Sequence, residues 1–484
     1  MNEFIIKNGL VHKGDGSSPV ETDILVKGDR IVSFLKATKK DSGNLIDAKG
    51  MVVTPGFVEV NFDAGGENGL FDDVYSLNLT KKGITTVVGG GNGVSQAPLF
   101  GKSASFIKSH SPNLLNADWQ SMVQFLSVLE KRGVGVNFGT LAGYATLRNA
   151  FTENYSRDLT LGEIESLGRL MSESLRGGAL GVAVDFSEPF LNGVSADEVF
   201  KVMNASGRFR SVFAFHLRDE REVGHSMEEI LFLSEHHSAN VEINHFQPLM
   251  ESRDEYLRYA LEIEKSASEK NINFDVFPYP IAKVPVYDFL PRWIKSPSIK
   301  DLTEAVGNSH LEERIMSGLD ESVIENLIIA ETPKPLKFLE GQTIKDFSLT
   351  LESDIKKAFI KLCLLTKMKA QVFSNYVDPV ALEELLKNRH SILTLSYHHS
   401  EREENPIFEK ILSSEKFVEK MTSQPAKKYG ISKRGSLKEG YFADINIFKD
   451  GKPYYVFVNG KALIEEGMSK QVSAGVVLKN TLEK

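Results

Sequence analysis

The apolar positions of this chain change their spacing twice. Over residues 1–50, FIIKNGLVHKG and then TDILVKGDRIVSF alternate apolar with polar residues around a Gly28-Asp29 turn, the signature of short antiparallel hairpins. The same alternation returns near the end, in Ala443–Phe448 and in YYVFVNGKAL with its Asn459-Gly460 turn. Two β segments at opposite ends of a chain each leave an apolar face uncovered unless they pair, so they are expected to form one small sandwich. Between them the rhythm becomes strand then helix. Apolar runs recur at Gly56–Val60, Ile84–Val88, Val136–Leu141, Gly181–Phe186, Val212–His216, Val241–His245, Ile272–Phe277 and Ile392–Ser396. Helix signals lie between them. Thr160-Leu161-Gly162-Glu163 reads as a capping box followed by Ile164, Leu167 and Met171 on one face, with Gly177-Gly178 as the stop. Ser226-Met227-Glu228-Glu229, followed by Ile230 and Leu233, reads as a second. Eight strand–helix repeats predict a (β/α)8 TIM barrel within an α/β chain, with its chemistry at the C-terminal ends of the strands.

The one irregularity is the excursion from Tyr279 to Ser391, which has helices of its own and the stretch Leu290-Pro291-Arg292-Trp293. So long an interval reads as a lid or small inserted unit. The expected organisation is residues 1–54 and 431–484 in the sandwich and 55–430 in the barrel, with the insertion at about 281–388 between strands seven and eight.

Composition narrows the role. The net charge of −8 and the lack of a long basic run speak against nucleic acid or a membrane surface as partner. No run of about 18 apolar residues is present to span a bilayer, and the start, MNEFIIK, is not a signal peptide. The one cysteine, Cys363, cannot form an internal disulfide, which fits a reducing cytoplasm. Within FIKLCLLTK it reads as core.

The stretch with most chemical content is Val52–Asp63, VVTPGFVEVNFD. Side chains two apart on a strand point the same way, so Asn61 and Asp63 project together from the end of the first barrel strand. This stretch resembles the first strand of the amidohydrolase superfamily, Pro-Gly-Phe-(Ile/Val)-(Asp/Glu)-x-His-x-His, with both histidines replaced. Further likeness runs along nearly the whole chain. It includes Gly83–Val88, Gly93–Pro98, Gly143-Tyr144-Ala145-Thr146-Leu147-Arg148, His216-Leu217-Arg218-Asp219-Glu220, Asn244-His245-Phe246-Gln247, Asp275-Val276-Phe277-Pro278-Tyr279, Lys420-Met421-Thr422 and Gly435 through Asp444. In this order and spacing the segments resemble the N-acyl-D-amino-acid deacylases, or D-aminoacylases.

That resemblance implies metal-assisted amide hydrolysis, with zinc activating water and a carboxylate moving the proton. It also marks the departures. The first-strand histidines become Asn61 and Asp63, the bridging cysteine falls on Asn92, the Gly-His on Gly143-Tyr144, the substrate lysine on Gln247, and the Ser-Asp after strand eight on Ser396-Tyr397. His216 and His245 remain. Asp63, His216 and His245 are the expected ligand set for one divalent metal, zinc or iron or manganese, with Asn61 as a weak oxygen donor, and a two-metal site is not expected. Tyr397 is a poor base, so His398 and His399 are the expected proton carriers. Arg218, Tyr279, Gln247 and Tyr144 are the expected substrate contacts.

Each reading has a plain structural counterpart. His216 and His245 can be barrel-mouth histidines satisfied by Asp63 and Asp219 with no metal. Arg218-Asp219-Glu220 can be a local ion-pair network, and Arg402 a solvated loop arginine. Glu235-His236-His237 reads as a solvated helix end and Asn92-Gly93 as a turn. Two functions stay open: a divergent hydrolase of non-peptide C–N bonds acting on a small N-acyl amino acid or similar amide, and a catalytically silent relative kept for binding or assembly. In the second case it carries no metal and pairs with itself or with an active paralogue.

Overall fold

The computed structural model describes residues 3–35, 44–62, 69–71, 73–110, 117–152, 157–188, 190–207, 210–235, 240–266, 270–294, 299–374, 377–395 and 409–480. Eight parallel strands follow one another in chain order within a single sheet: Phe57–Phe62, Ile84–Gly89, Asn137–Gly143, Gly181–Asp185, Val212–His216, Asn240–Asn244, Asn271–Val276 and Ser391–Leu393. They are the eight runs expected from the sequence. Leu395 N, just past the eighth strand, donates to Glu59 Oε2 of the first at 2.7 Å, which brings the two ends of the sheet together.

The period of two sorts each strand's residues onto two faces. Phe138, Val182, Val184, Phe213, Phe215, Val241, Ile243, Phe274, Val276 and Leu393 pack outward in the main core with the helices. Val58, Val88, Leu141, Ala183, Val212, Ala214 and Ile392 form a separate cluster with Ala426, Tyr429 and Ile431. These three come from and just beyond the helix Ser423–Lys428. That helix ends beside the starts of the strands, where Lys428 Nζ donates to Asn271 O at 3.0 Å and Asn240 Nδ2 donates to Lys428 O at 2.8 Å. It therefore plugs the N-terminal end of the barrel.

Local sequence accounts for the helices. Thr160 and Glu163 form the expected capping box of Leu161–Arg176, and Ile164, Leu167 and Met171 are buried. The second expected box is corrected. Its helix starts earlier, at Val223, because Ser226 Oγ accepts from Asp219 N and donates to Asp219 O, both at 3.0 Å. Ser226 thus ties down the preceding loop from inside the helix.

Both ends of the chain meet in one nine-stranded sheet, in which Ile445–Lys449 pairs with Val52–Pro55, and Val52–Pro55 pairs with Glu3–Val11. Its core holds Phe4, Ile6, Val11, Ile24, Ile445, Ile447 and Phe457. Between barrel strands seven and eight, Ala282–Pro285, Gln371–Ser374 and Ile328–Glu331 make an antiparallel sheet. This segment has its own core around Phe289, Ile315, Phe347 and Phe359, in which Cys363 is wholly buried. No helix among the described residues is long and apolar enough to cross a membrane.

A buried polar knot joins the terminal sheet to the barrel. Asp444 takes an ion pair from Arg434 and hydrogen bonds from Asn137 Nδ2 (3.0 Å) and Asn459 N (2.8 Å). Arg434 also donates to Asn459 Oδ1 at 2.8 Å, and Asn459 Nδ2 donates to Asn137 Oδ1 at 2.9 Å. Both charged partners are almost fully enclosed, with side chains 2% and 4% exposed. Removing one partner strands the other charge in the interior. Asp444→Ala is therefore expected to cost about 3–5 kcal/mol in chemical denaturation. Breaking the exposed Lys470–Glu465 pair with Lys470→Ala is expected to cost less than about 1 kcal/mol.

Candidate active site at the barrel mouth

The fourth, fifth and sixth strands end level with one another, because His216 is in register with Asp185 on one side and Asn244 on the other. This places the His216 imidazole between two carboxylates. Nδ1 lies 3.1 Å from Asp185 Oδ2 and Nε2 lies 3.0 Å from Glu220 Oε1. Carboxylates only accept when ionised, so a ring that satisfies both must donate from both nitrogens as an imidazolium. Burial alone pushes the ring's pKa down. The Asp185 charge and hydrogen bond, with those of Glu220, outweigh burial and hold it well above its ordinary value. Burial pushes Asp185 up in turn, but His216 and Ser187 outweigh it and hold it low. Ser187 donates from N and Oγ to Asp185 Oδ1 at 3.0 and 2.6 Å.

His245 follows the sixth strand with a φ of +54°, a strained conformation for a residue with a Cβ. Its backbone N donates to Asp275 Oδ1 at 3.0 Å, and its Nδ1 stands 3.6 Å from the same oxygen. The two imidazoles meet at a centroid distance of 5.1 Å and 70°. Burial, and then the neighbouring His216 charge, push His245 down to about 3. Burial raises Asp275 to about 7, against hydrogen bonds from Asn61 and the His245 backbone. One histidine is thus a held cation and the other a neutral ring.

The remaining expected residues fall into two groups. Asp63, Tyr397, His398 and His399 lie outside the described residues, as do His236, His237 and Arg402. The others are described, and most are engaged internally. Tyr144 is wholly buried, with Oη donating to Glu198 Oε1 at 2.9 Å beside the Arg148–Glu198 ion pair. Gln247 clamps the chain after strand seven, accepting from Phe277 N at 2.9 Å and donating to Phe277 O at 3.1 Å. Arg218 lies over the Phe186 ring, pairs with Glu229, and donates to the carbonyls of Asn192 and Val194. Its fork is spent on the loop after strand four. Tyr279 is half-buried against Phe277, ring centroids 4.7 Å apart. Asn61 is buried against Asp275, and Asn92 is an exposed turn residue.

The partners expected for the histidines need correcting. His216 is satisfied by Asp185 and Glu220, and His245 faces Asp275, while Asp219 accepts from Arg221 N at 2.9 Å. Asp185 is the residue that sequence reasoning missed. Its signal was present as the carboxylate closing the apolar run Gly181-Val182-Ala183-Val184-Asp185 at a strand's C-terminal end.

The described donors alone, without Asp63, which lies outside the described residues, do not make up a metal site. Zinc needs at least three protein ligands. Among the described residues no group of three histidine, cysteine, aspartate or glutamate side chains could hold one. A ring with both nitrogens committed to carboxylates, as His216 has, has no lone pair to give.

A model of the amidohydrolase family matches residues 398–463. The chain is 27% identical to an N-acyl-D-aspartate deacylase of Alcaligenes xylosoxydans xylosoxydans over 92% of its length and 85% of that protein's. It is 22% identical to a D-aminoacylase of the same organism over 99% and 98%. A solved structure of D-aminoacylase, described by its binuclear metal centre, superposes with a TM-score of 0.79 at 21% identity, covering 99% of this chain and 100% of that one. A zinc- and phosphonate-bound N-acyl-D-glutamate deacylase from Bordetella bronchiseptica superposes equally well, at 19% identity over 99% and 100%. The fold is that of an amidohydrolase. Within that class the chain resembles D-aminoacylase.

The two histidines are expected to titrate in opposite senses. The folded state raises the His216 pKa above 6.5. The stability it contributes is therefore complete below about 6.5 and is lost as pH rises through the folded value. The folded state depresses His245 to about 3, so its contribution is complete above about 6.5 and fades as pH falls towards 3. Long-range 1H–15N spectra at pH 7 should show one doubly protonated ring, assigned to His216, and one neutral ring, assigned to His245. Asp185→Asn should lower the pKa of the first. A neutral His216 at pH 6 in the wild type would contradict the arrangement.

Proposed function

We propose that this chain is a divergent amidohydrolase that takes a small N-acyl amino acid, or a similar small amide, at the barrel mouth and hydrolyses its non-peptide C–N bond. The observation that carries the reading is the pair of buried imidazoles 5.1 Å apart at the ends of adjacent strands, His216 between Asp185 and Glu220 and His245 beside Asp275. His245, a neutral ring, orients the attacking water, and Asp275, raised by burial to about 7 and 3.6 Å from His245 Nδ1, is the group that takes the proton. His216, kept cationic by Asp185 and Glu220, faces the carbonyl oxygen as negative charge develops there. Glu220, 28% exposed, is the partner that swings aside so that Nε2–H can turn to the substrate. End-to-end likeness to deacylases of N-acyl-D-amino acids supports the substrate class. The scheme routes no step through a metal.

A second reading, a silent barrel kept for binding or assembly, is favoured by the internal engagement of Arg218, Gln247 and Tyr144. Turnover of N-acetyl-D-amino acids, with and without added zinc, iron or manganese, separates the two. The hydrolase reading expects turnover that falls by about 10²–10⁴ in kcat/KM in both His245→Ala and His216→Ala, with the melting temperature of each variant recorded. Elemental analysis of protein purified without chelators is expected to show about one metal per chain if Asp63, His216 and His245 converge on one ion, and none under the silent reading. No turnover from wild type on either enantiomeric series, under any metal condition, leaves the silent reading standing.

A further inference from the structure

Beneath the two histidines the barrel interior is unexpectedly polar. Val241 and Ile243 face the outer core, so Glu242 and Asn244 point inward, and Phe274 and Val276 likewise leave Asp275 inside. Ile392 is inward, and Thr394 lies two residues further on the same face. Tyr429 rises from the plug into the same inner cluster. All five are at most 2% exposed. Six of their oxygens find no hydrogen-bond partner in the protein: both of Glu242, and Asn244 Oδ1, Asp275 Oδ2, Thr394 Oγ1 and Tyr429 Oη.

Glu242, Asp275 and Tyr429 lie close enough to act on one another, and Asn244 and Thr394 follow on the same inward faces. Burial raises Glu242, with the Lys428 charge opposing and the Asp275 charge adding. Burial raises Tyr429, and Glu242, Asp275 and Glu59 add to it. Burying a polar atom with no partner is unfavourable, and six such atoms line the inner face of one barrel. The set is rich in acceptors, its donors being the two hydroxyls and the carboxyl proton that burial favours on Glu242, so what satisfies it must both donate and accept. Among the described residues the cation that acts on Glu242 is Lys428, which donates to Asn271 O at 3.0 Å.

We propose that Glu242, Asn244, Asp275, Thr394 and Tyr429 enclose a built site for ordered water inside the barrel, reaching from the floor plug to the carboxylate behind His245. At about three hydrogen bonds per buried molecule, the six oxygens call for roughly two or three waters. The site is independent of whether the mouth hydrolyses anything, and its test reads no activity.

The test is a crystal structure of the full chain with a thallium(I) soak, paired with water 17O relaxation dispersion in solution. The expected result is at least two water peaks, each within about 3.2 Å of two or more of these oxygens, with no thallium peak among them. In solution, Glu242→Leu should lose the long-lived waters. Tyr429→Phe keeps the ring's volume, so it reports even where Glu242→Leu fails to fold, and it should lose at least one. A dry interior with the oxygens bonded to each other overturns the proposal. So does a thallium peak marking a cation site, or a long-lived water count unchanged in Tyr429→Phe.

Discussion

A carboxylate with almost no exposure to solvent stays charged only beside a positive partner, and at this barrel mouth Asp185 and His216 fill those roles for each other. Strand register makes the pair possible, since parallel pairing sets the ends of strands four and five side by side. Much else follows from the pair. Asp185 draws Ser187 back over the strand end, which starts the loop that Arg218 then holds by two carbonyls. Burial, and then the charge on His216 5.1 Å away, hold the His245 pKa down. His245 in turn takes a strained backbone whose N–H is answered by Asp275. The ion pair between neighbouring strands thus bears on the charge of both described histidines at the mouth.

The mouth is also held from behind. Tyr144 and Arg148, on the helix that follows strand three, converge on Glu198 of the helix after strand four. Gly143 allows that turn because a Cβ there would come within 2.4 Å of Gly93 O. Gln247 binds the turn after strand six to the chain after strand seven through both the oxygen and the nitrogen of its side-chain amide. Tyr144 and Gln247 sit where the resemblance implied a contact with substrate, and each meets another part of the barrel. A tyrosine that reaches a buried glutamate, or a glutamine that mimics a strand partner, exchanges that contact for rigidity.

The scaffold was legible in the sequence to a degree the site was not. Eight apolar runs with helix signals between them give the barrel, because burial of both faces of a parallel strand leaves a continuous apolar stretch. The hairpin alternation at both ends gives the terminal sheet for the same kind of reason. Thr160 and Glu163 mark their helix start because capping is a local interaction. Ser226 misleads, since its hydroxyl is drawn to Asp219 by a loop whose path no local pattern encodes. The partner of His216 was missed for a related reason. Glu220 is four residues away on the same segment, whereas Asp185 comes from the neighbouring strand, and only pairing brings it near. Arg218 shows the limit most plainly. Its fork is suited to a substrate carboxylate, and only the tertiary structure reveals that Glu229 and two loop carbonyls have already taken it.

The polar interior below the mouth bears on how such a barrel stays folded. Burying one large apolar side chain stabilises by roughly 1.5–3 kcal/mol, and the outer faces of the strands carry a long series of them, from Phe138 to Leu393. The inner face is smaller and is lined in its lower half by Val58, Ala183, Val212 and Ala214. It can carry Glu242 and Asp275 only because the outer shell supplies most of the folding energy. The sandwich joined through Asp444 and Arg434 then closes the chain around the plug. Stability therefore comes from the outer shell and the floor. The inner wall near the mouth is relieved of that duty, which is the condition a barrel must meet before it can hold unlike charges close together at one end.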